Sequence, residues 1–415
     1  MNILIVNPFS SAEFLYNSFK QANIKTIALY TKSDLEIFIR PEKDWFNKQI
    51  FVDNADINTI LNLIKNENIE FVLNGCESYS SGLVADQIAM LLKLNSYNNP
   101  KYTEYRTNKY KTNIILQQQQ IPNVAQVKFR FGIDNIDNPS FKKINYPCFV
   151  KPLNGVSSYG VAKINSFIQL KDFFNNLDIT DIKNRINSYL NEEILEYLIC
   201  EYIDGDEYFI DTVSYQGNHY VSSIQKYKKK FLNNGKLIYR YIEISTNDLL
   251  NRKIISYTQK ILNAVELNSG FAHTELMVKN GEPVLIELNQ RVSGLRGAAN
   301  YTAKLEGGET QPDILAKLLH NQDYRPTYIS KEYPNYRILI LLNLSTSPLP
   351  DLKIALKKYK IVHKVIQFKP IGYIHNVLPS AVADSVAVVI CYSDNIDLLN
   401  QESTEILQHD EEGWS

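Results

Sequence analysis

Phe271-Ala-His-Thr-Glu-Leu-Met-Val-Lys-Asn-Gly-Glu-Pro-Val-Leu-Ile-Glu-Leu-Asn-Gln-Arg-Val-Ser-Gly294 gathers carboxylates, an imidazole, an amide and a guanidinium into two alternating runs around Asn280-Gly281. Asn-Gly between such runs is the strongest short hairpin signal, so His273–Lys279 and Pro283–Asn289 are expected to pair antiparallel. Residues two apart share a strand face, which puts His273 with Glu275 and lines up Glu287, Asn289 and Arg291. Hard oxygen donors of this kind suit Mg²⁺, which keeps several waters and shares a polyphosphate with one or two carboxylates. Zinc fits less well. Taken alone, the same residues also read as the wet face of an ordinary hairpin.

Working outward, 415 residues suffice for two or three domains. Hydrophobic residues make up 44% and charged residues 21%, an ordinary globular balance. Lys plus Arg total 44 against 45 Asp plus Glu, so no net field draws the chain to nucleic acid or to an anionic membrane. The expected partners are small molecules. Met1–Val6 reads directly as a strand, with no basic leader and no apolar run of membrane-span length, and a cytoplasmic protein is expected. Cys76, Cys148, Cys200 and Cys391 lack CxxC spacing and read as small core residues.

Residues 1–98 alternate strand and helix signals, which argues a parallel sheet with helical crossovers. The turn Asn7-Pro8-Phe9-Ser10-Ser11 has no glycines and fails the dinucleotide fingerprint. Asn7, Ser10 and Ser11 are either ligand contacts or helix caps. Asn74-Gly75-Cys76-Glu77 falls at a strand end on the ligand side of such a sheet, where Glu77 is a candidate for an amino group.

Tyr105 is expected to open a helix that runs through Lys109 and Gln117–Gln120 to Ile121-Pro122. In Tyr146-Pro-Cys-Phe-Val-Lys151-Pro152, a lysine inside an apolar strand needs an anionic partner. The loop Leu153-Asn-Gly-Val-Ser157-Ser158-Tyr-Gly160 lets backbone N–H groups wrap phosphate oxygens, but is no Walker loop. Glu201-Tyr202-Ile203-Asp204-Gly205-Asp206-Glu207 reads locally as a hairpin turn. Gln225–Phe231 is a cationic strand, with Lys226 a candidate for polyphosphate. Arg296, in a glycine-bearing loop, is a candidate for binding a substrate carboxylate through its planar fork. From about 335 the signals are those of a small α+β lobe, and the tail from His409 is expected to fray.

Glu275 followed twelve residues later by Glu287-Leu-Asn289-Gln-Arg291 resembles the metal-binding end of the ATP-grasp ligases. The preceding Ala272-His273-Thr-Glu275 is similar to the branch that joins amino acids, represented by bacilysin-type dipeptide ligases, dapdiamide ligases and carnosine synthase. The resemblance implies an α/β (α+β) ATP-grasp fold in four parts: an N-terminal parallel-sheet, Rossmann-like domain (1–98), linker helices with a lid (99–205), a catalytic subdomain (206–330) and a C-terminal α+β lobe (331–415). It implies ATP bound by Lys109, Lys151, Ser157, Ser158, Gly160, the Glu201–Ile203 hinge and Glu207. One or two Mg²⁺ ions, with Mn²⁺ able to substitute, would be held by Glu275, Glu287 and Asn289. Asn108 departs from the family's usual Asp before Lys109.

The implied reaction activates a carboxylate as an acylphosphate, which an amine attacks to give an amide, with Arg291, His273 and Arg296 in catalytic roles. A homodimer is compatible with this reading. The alternatives are another ATP-grasp reaction, of D-alanine ligase or biotin/purine carboxylase type, and an ATP-binding protein without turnover.

Overall fold

The computed structural model describes residues 1–9, 11–35, 45–53, 56–142, 144–153, 160–178, 195–231, 237–305, 307–331, 334–345, 347–375, 379 and 382–414. The chain opens with β1 (Asn2–Val6), β2 (Lys25–Thr31), β3 (Lys48–Val52) and β4 (Ile69–Asn74), a parallel sheet in the order β3-β2-β1-β4. Ile3, Leu4, Ile5 and Val6 are fully buried because both faces of β1 are covered. Ile3 and Ile5 pack with Phe14 and Phe19, whereas Leu4 and Val6 pack with Ile60 and Ile88. Strand order reverses at β1, so the segments leaving β1 and β4 flank a crevice at the carboxyl ends of the strands.

The second sheet contains β5 (Gln126–Arg130), β6 (Cys148–Pro152), β7 (Ala162–Ile164) and β8 (Glu196–Glu201), antiparallel in the order β5-β8-β6-β7. Alternation divides its faces. Val150, Tyr197 and Ile199 join Phe129 and Phe174 in one apolar core, while Leu198 and Cys200 face Val284 and Ile286. Lys151 pairs in register with Leu198 and so shares this second face.

The third sheet holds β9 (Asp206–Tyr215), β10 (Asn218–Phe231), β11 (Leu237–Ile244), β12 (Gly270–Lys279), β13 (Glu282–Asn289), β14 (Tyr336–Leu341), β15 (Val362–Gln367) and β16 (Ala387–Tyr392). Their order is β13-β12-β9-β10-β11-β14-β16-β15. Helix Asp248–Ala264 covers one face, burying Ile254, Ile261 and Leu262 against Ile210, Ile224 and Leu276. The strands expected in a small separate lobe extend this sheet, since β14 pairs with β11 through Ile242↔Ile338. The tail does not fray at His409. Helix Ile396–Glu412 continues past it because Asp410 is fully buried, 2.8 Å from the Arg240 guanidinium, and accepts the N–H groups of Leu342 and Asn343.

Candidate active site

The β12–β13 hairpin turns through Asn280 and Gly281, both left-handed at φ 55° and 76°, as a primed two-residue turn requires. Its register sets His273 opposite Asn289 and Glu275 opposite Glu287, with an irregularity between Glu275 and Leu276. Two carboxylates in direct cross-strand register repel each other, and each has a cation beside it. Lys109 Nζ lies 3.1 Å from Glu287 Oε1, and His273 Nε2 lies 3.4 Å from Glu275 Oε1.

Lys109 arrives there because the helix expected from Tyr105 is two helices, Thr103–Thr107 and Lys109–Gln118. Asn108 breaks them with extended backbone, and its side chain accepts the N–H groups of Tyr110 and Lys111. Lys109 thus opens the second helix. From the other side, Lys151 Nζ donates to Ile286 O at 3.1 Å. Both lysines therefore land on β13. Ser157 and Ser158 lie outside the described residues; Gly160, at φ 68°, precedes β7.

Glu201–Ile203 is not a hairpin turn, since β8 and β9 belong to different sheets and the segment crosses between them. Tyr202 lies under Lys163, whose Nζ is 3.8 Å from the ring centroid, and Ile203 packs beside Cys200, Val284 and Ile286. Gly205 fixes the crossing. A Cβ there would stand 2.2 Å from Val278 O. Glu207 is buried, ion-paired to Lys229, and accepts the Tyr239 hydroxyl at 3.1 Å. Burial pushes its carboxyl above the usual range, Lys229 pulls against this, and the Glu275 charge adds to the rise. Lys226 pairs instead with Asp206 at 2.6 Å.

Arg291 does not continue the strand face, because β13 ends at Asn289 and the chain bends. Its Nε donates to Glu77 Oε2 at 2.8 Å and its Nη1 to Val292 O at 3.0 Å. Burial opposes the charge on Arg291, but Glu77 outweighs it and holds the guanidinium more firmly protonated than usual. The crevice at the end of β4 is thereby joined to the end of β13. Asn74 Nδ2 reinforces the junction by donating to Gln290 O at 2.9 Å. Of the other crevice candidates, Asn7 is spent on Thr31 and Asp34, Ser11 donates to Ser293 O at 3.0 Å, and Ser10 lies outside the described residues. Arg296 is exposed, its guanidinium 5.1 Å from the Phe368 ring centroid. Leu295, Arg296 and Gly297 are all left-handed, at φ 52°, 53° and 78°. A Cβ on Gly297 would meet Phe14 at 2.5 Å, so the turn is held against the first helix.

Among the buried charges that the sequence reading passed over, two stand beside the site. Arg106, fully buried, donates through Nε to Gln290 Oε1 at 2.9 Å, through Nη1 to Val265 O at 2.8 Å and through Nη2 to Asp86 at 2.6 Å. Asp211, also fully buried, lies 2.7 Å from His273 Nδ1. A lone aspartate within Tyr208-Phe-Ile-Asp-Thr-Val was a signal of the same kind as Lys151. Burial lowers the His273 pKa, but Asp211 first and Glu275 second outweigh it and raise the imidazole to about 9. Burial likewise opposes ionisation of Glu275, whose carboxyl is nonetheless brought below its usual value by His273, with help from Arg291 and Lys109. Both His273 nitrogens therefore point at carboxylates.

Among the described residues no three His, Cys, Asp or Glu side chains form a metal-holding group. The candidate donors are the Glu275 and Glu287 carboxylates, in facing register, and the amide oxygen of Asn289, which stands opposite His273. That fits Mg²⁺ completed by water and phosphate, and does not fit a closed zinc site.

Residues 144–299 match the ATP-grasp domain family. The chain is 25% identical over 329 residues to dapdiamide A synthase of Enterobacter agglomerans, covering 77% of this chain and 73% of that one. It is 28% identical over 192 residues to D-alanine–D-alanine ligase of Flavobacterium psychrophilum, 44% of this chain and 53% of that one. The crystal structure of L-amino acid ligase from Bacillus licheniformis superposes with a TM-score of 0.74 at 20% identity, covering 98% of this chain and 96% of that one.

Proposed function

We propose that this chain, whose residues 144–299 are an ATP-grasp domain within a molecule of ATP-grasp fold, is an ADP-forming carboxylate–amine ligase that joins an amino acid to an amine or to a second amino acid. One observation carries the reading: three segments remote in sequence bring Lys109, Lys151 and, against Arg291, Glu77 to the β12–β13 hairpin that bears Glu275, Glu287 and Asn289. The similarity to dapdiamide A synthase across most of both chains supports amino acids as the substrates.

ATP and one or two Mg²⁺ ions, the latter held by Glu275, Glu287 and Asn289, would supply the activating phosphoryl group and neutralise its charge. Lys109 would leave Glu287 and Lys151 the Ile286 carbonyl to meet phosphate oxygens. Glu207 serves the ribose hydroxyls, with Lys229 as the cation it already holds. Arg291 has its fork oriented in advance by Glu77, so its remaining N–H groups are directed toward developing charge without a search through rotamers. Residues 1–98 supply Glu77 for the amino-acid substrate, 99–205 the lid with Lys151, 206–330 the acids, and 331–415 the continuation of the sheet. Among the described residues no helix is long and apolar enough to cross a membrane. A cytoplasmic setting suits an enzyme that consumes ATP and free amino acids.

The test is ADP release across pairs of amino acids, with mass spectrometry of the products. ADP release that requires two amino acids, with a product heavier by one residue, is the expected result. Release stimulated by bicarbonate and indifferent to amino acids would replace this reading with a carboxylase, and ATP binding without acceptor-dependent turnover would replace it with a nucleotide-binding protein.

A further inference from the structure

We infer that Asp211 is a positioning residue for the metal-binding carboxylate Glu275, acting through His273; the inference rests on the metal reading given above. The geometry is a relay across three adjacent positions of one sheet face. Asp211 on β9 pairs in register with His273 on β12, and the Asp211 carboxylate lies 2.7 Å from His273 Nδ1. The far nitrogen of the same ring is 3.4 Å from Glu275 Oε1. Phe209 packs on the imidazole with ring centroids 4.8 Å apart, which fixes the plane in which the ring reaches Glu275.

Asp211 is itself held in place. Ser223 Oγ donates to its second oxygen at 3.3 Å. Gln225 Nε2 reaches Ser223 Oγ at 3.3 Å, Ala299 O at 3.1 Å and Thr302 Oγ1 at 3.1 Å, anchoring the chain of contacts to helix Ala298–Leu305. Asp211, Ser223 and Gln225 are all buried, so the relay is dry and its members have few alternative rotamers.

A carboxylate with no solvent exposure is costly, and β9 needs no charge there, since it is paired on both sides, regularly with β12 and with β10 through an irregularity between Val221 and Ser223. An apolar residue of similar size would pack at this position with less penalty. What the aspartate adds is a fixed direction for the imidazole. Groups that orient a ligating carboxylate through a hydrogen bond commonly contribute about 10–100-fold to metal affinity or activity.

The experiment measures Mn²⁺ binding in the presence of ADP, by the paramagnetic resonance signal of free Mn²⁺, on full-length protein whose fold is checked by circular dichroism. Glu275→Gln is the reference variant and should weaken Mn²⁺ binding. Asp211→Ala should weaken it by about 10–100-fold without changing ADP affinity measured free of metal. Asp211→Asn, which keeps the shape and one hydrogen-bond acceptor, should fall between, and the double variant Asp211→Ala/His273→Gln should lose no more than the worse single one. A residue that only packs would lower the melting temperature and leave Mn²⁺ affinity alone.

Folded Asp211→Ala that binds Mn²⁺ within about twofold of wild type, against that 10–100-fold, while Glu275→Gln is impaired, overturns the relay and leaves the metal site standing. Where Asp211→Ala does not fold, the same limit applies to Asp211→Asn. Losses that multiply in the double variant also overturn it. Glu275→Gln binding Mn²⁺ normally would remove the metal reading and the relay with it.

Discussion

Replacing Arg291 with alanine should separate rate from stability. The Arg291 and Glu77 side chains are 15% and 27% exposed, so their ion pair is partly screened and its loss should cost only about 1 kcal/mol of stability. The catalytic loss should be larger. A preorganised donor aimed at developing negative charge typically contributes about 10²–10³ in kcat, or about 2.7–4 kcal/mol. Lysine keeps the charge but cannot hold Glu77 through Nε while presenting a second N–H outward, so Arg291→Lys should recover part of the rate and most of the stability. Glu77→Gln should retain more activity than Arg291→Ala in the chemical step, because the guanidinium stays, with its orientation loosened, and saturating amino acid offsets a weaker hold on the substrate's amino group. Single-turnover ADP formation at saturating ATP and amino acids reads the chemical step, and thermal unfolding reads the fold. A step slowed less than about threefold in Arg291→Ala, against the expected 10²–10³, or Glu77→Gln slowed as severely as Arg291→Ala, would make Arg291 a strut between β4 and β13.

Gly205→Ala should displace the crossing from β12, since its Cβ would overlap Val278 O, a backbone atom that cannot rotate away; a fall of about 1–3 kcal/mol is expected, together with weaker ATP binding by calorimetry, and unchanged ATP affinity would contradict the hinge role. Arg106→Leu leaves Asp86 buried with neutral partners only, and should cost about 3–5 kcal/mol; Arg106→Leu/Asp86→Leu should recover much of it in urea unfolding, and a double variant no better than the single would contradict that account. His273 is buried with its pKa raised to about 9 from 6.5, so its contribution to stability is full below the unfolded value and is lost as pH rises through about 9. The melting temperature of the wild type should therefore fall between about pH 7 and 10 more steeply than that of His273→Gln; parallel curves would show that the imidazole gains no charge on folding.

The β12–β13 hairpin was legible because turn chemistry and alternation are local, but the facing of Glu275 and Glu287 was not: counting from Asn280-Gly281 sets Glu275 opposite Ile286, and the irregularity between Glu275 and Leu276 moves it to Glu287. Lys151 was legible in part: one cation in an apolar strand demands a partner, but the partner is the Ile286 carbonyl and not the anion expected. Asp211 made the same demand but stood next to no motif. Arg106 was opaque, since an arginine in a short polar helix looks solvated, and its partners Asp86 and Gln290 lie 20 and 184 residues away. Arg291 was assigned to a strand face that stops two residues before it; strand ends depend on what the next element meets, here Glu77. The tail failed for a similar reason. An acidic run after a helix signals fraying until a buried Arg240 is placed against it, and the pairing of β14 with β11 that brings the two together is not written in either strand.

One sheet region carries Glu207, Asp211, Glu275 and Glu287, and such a concentration of carboxylates would destabilise β9, β12 and β13 if each stood unopposed. Each has a cation beside it, one of them shared: Lys229 from β10, His273 from β12 for both Asp211 and Glu275, and Lys109 from a helix outside the sheet. Every carboxylate thus has a cationic neighbour within the fold. In the proposed function, binding a metal and a polyphosphate would exchange one partner for another without burying new unpaired charge, because Lys109 leaving Glu287 for phosphate would hand that carboxylate to the metal, while Lys151 would leave the Ile286 carbonyl. This exchange requires the two lysines on β13 to come from segments able to move independently of it, and neither belongs to the sheet that holds the acids. The chain meets that condition by splitting Lys109 and Lys151 between a helix start and the second sheet while keeping Glu275 and Glu287 on one hairpin.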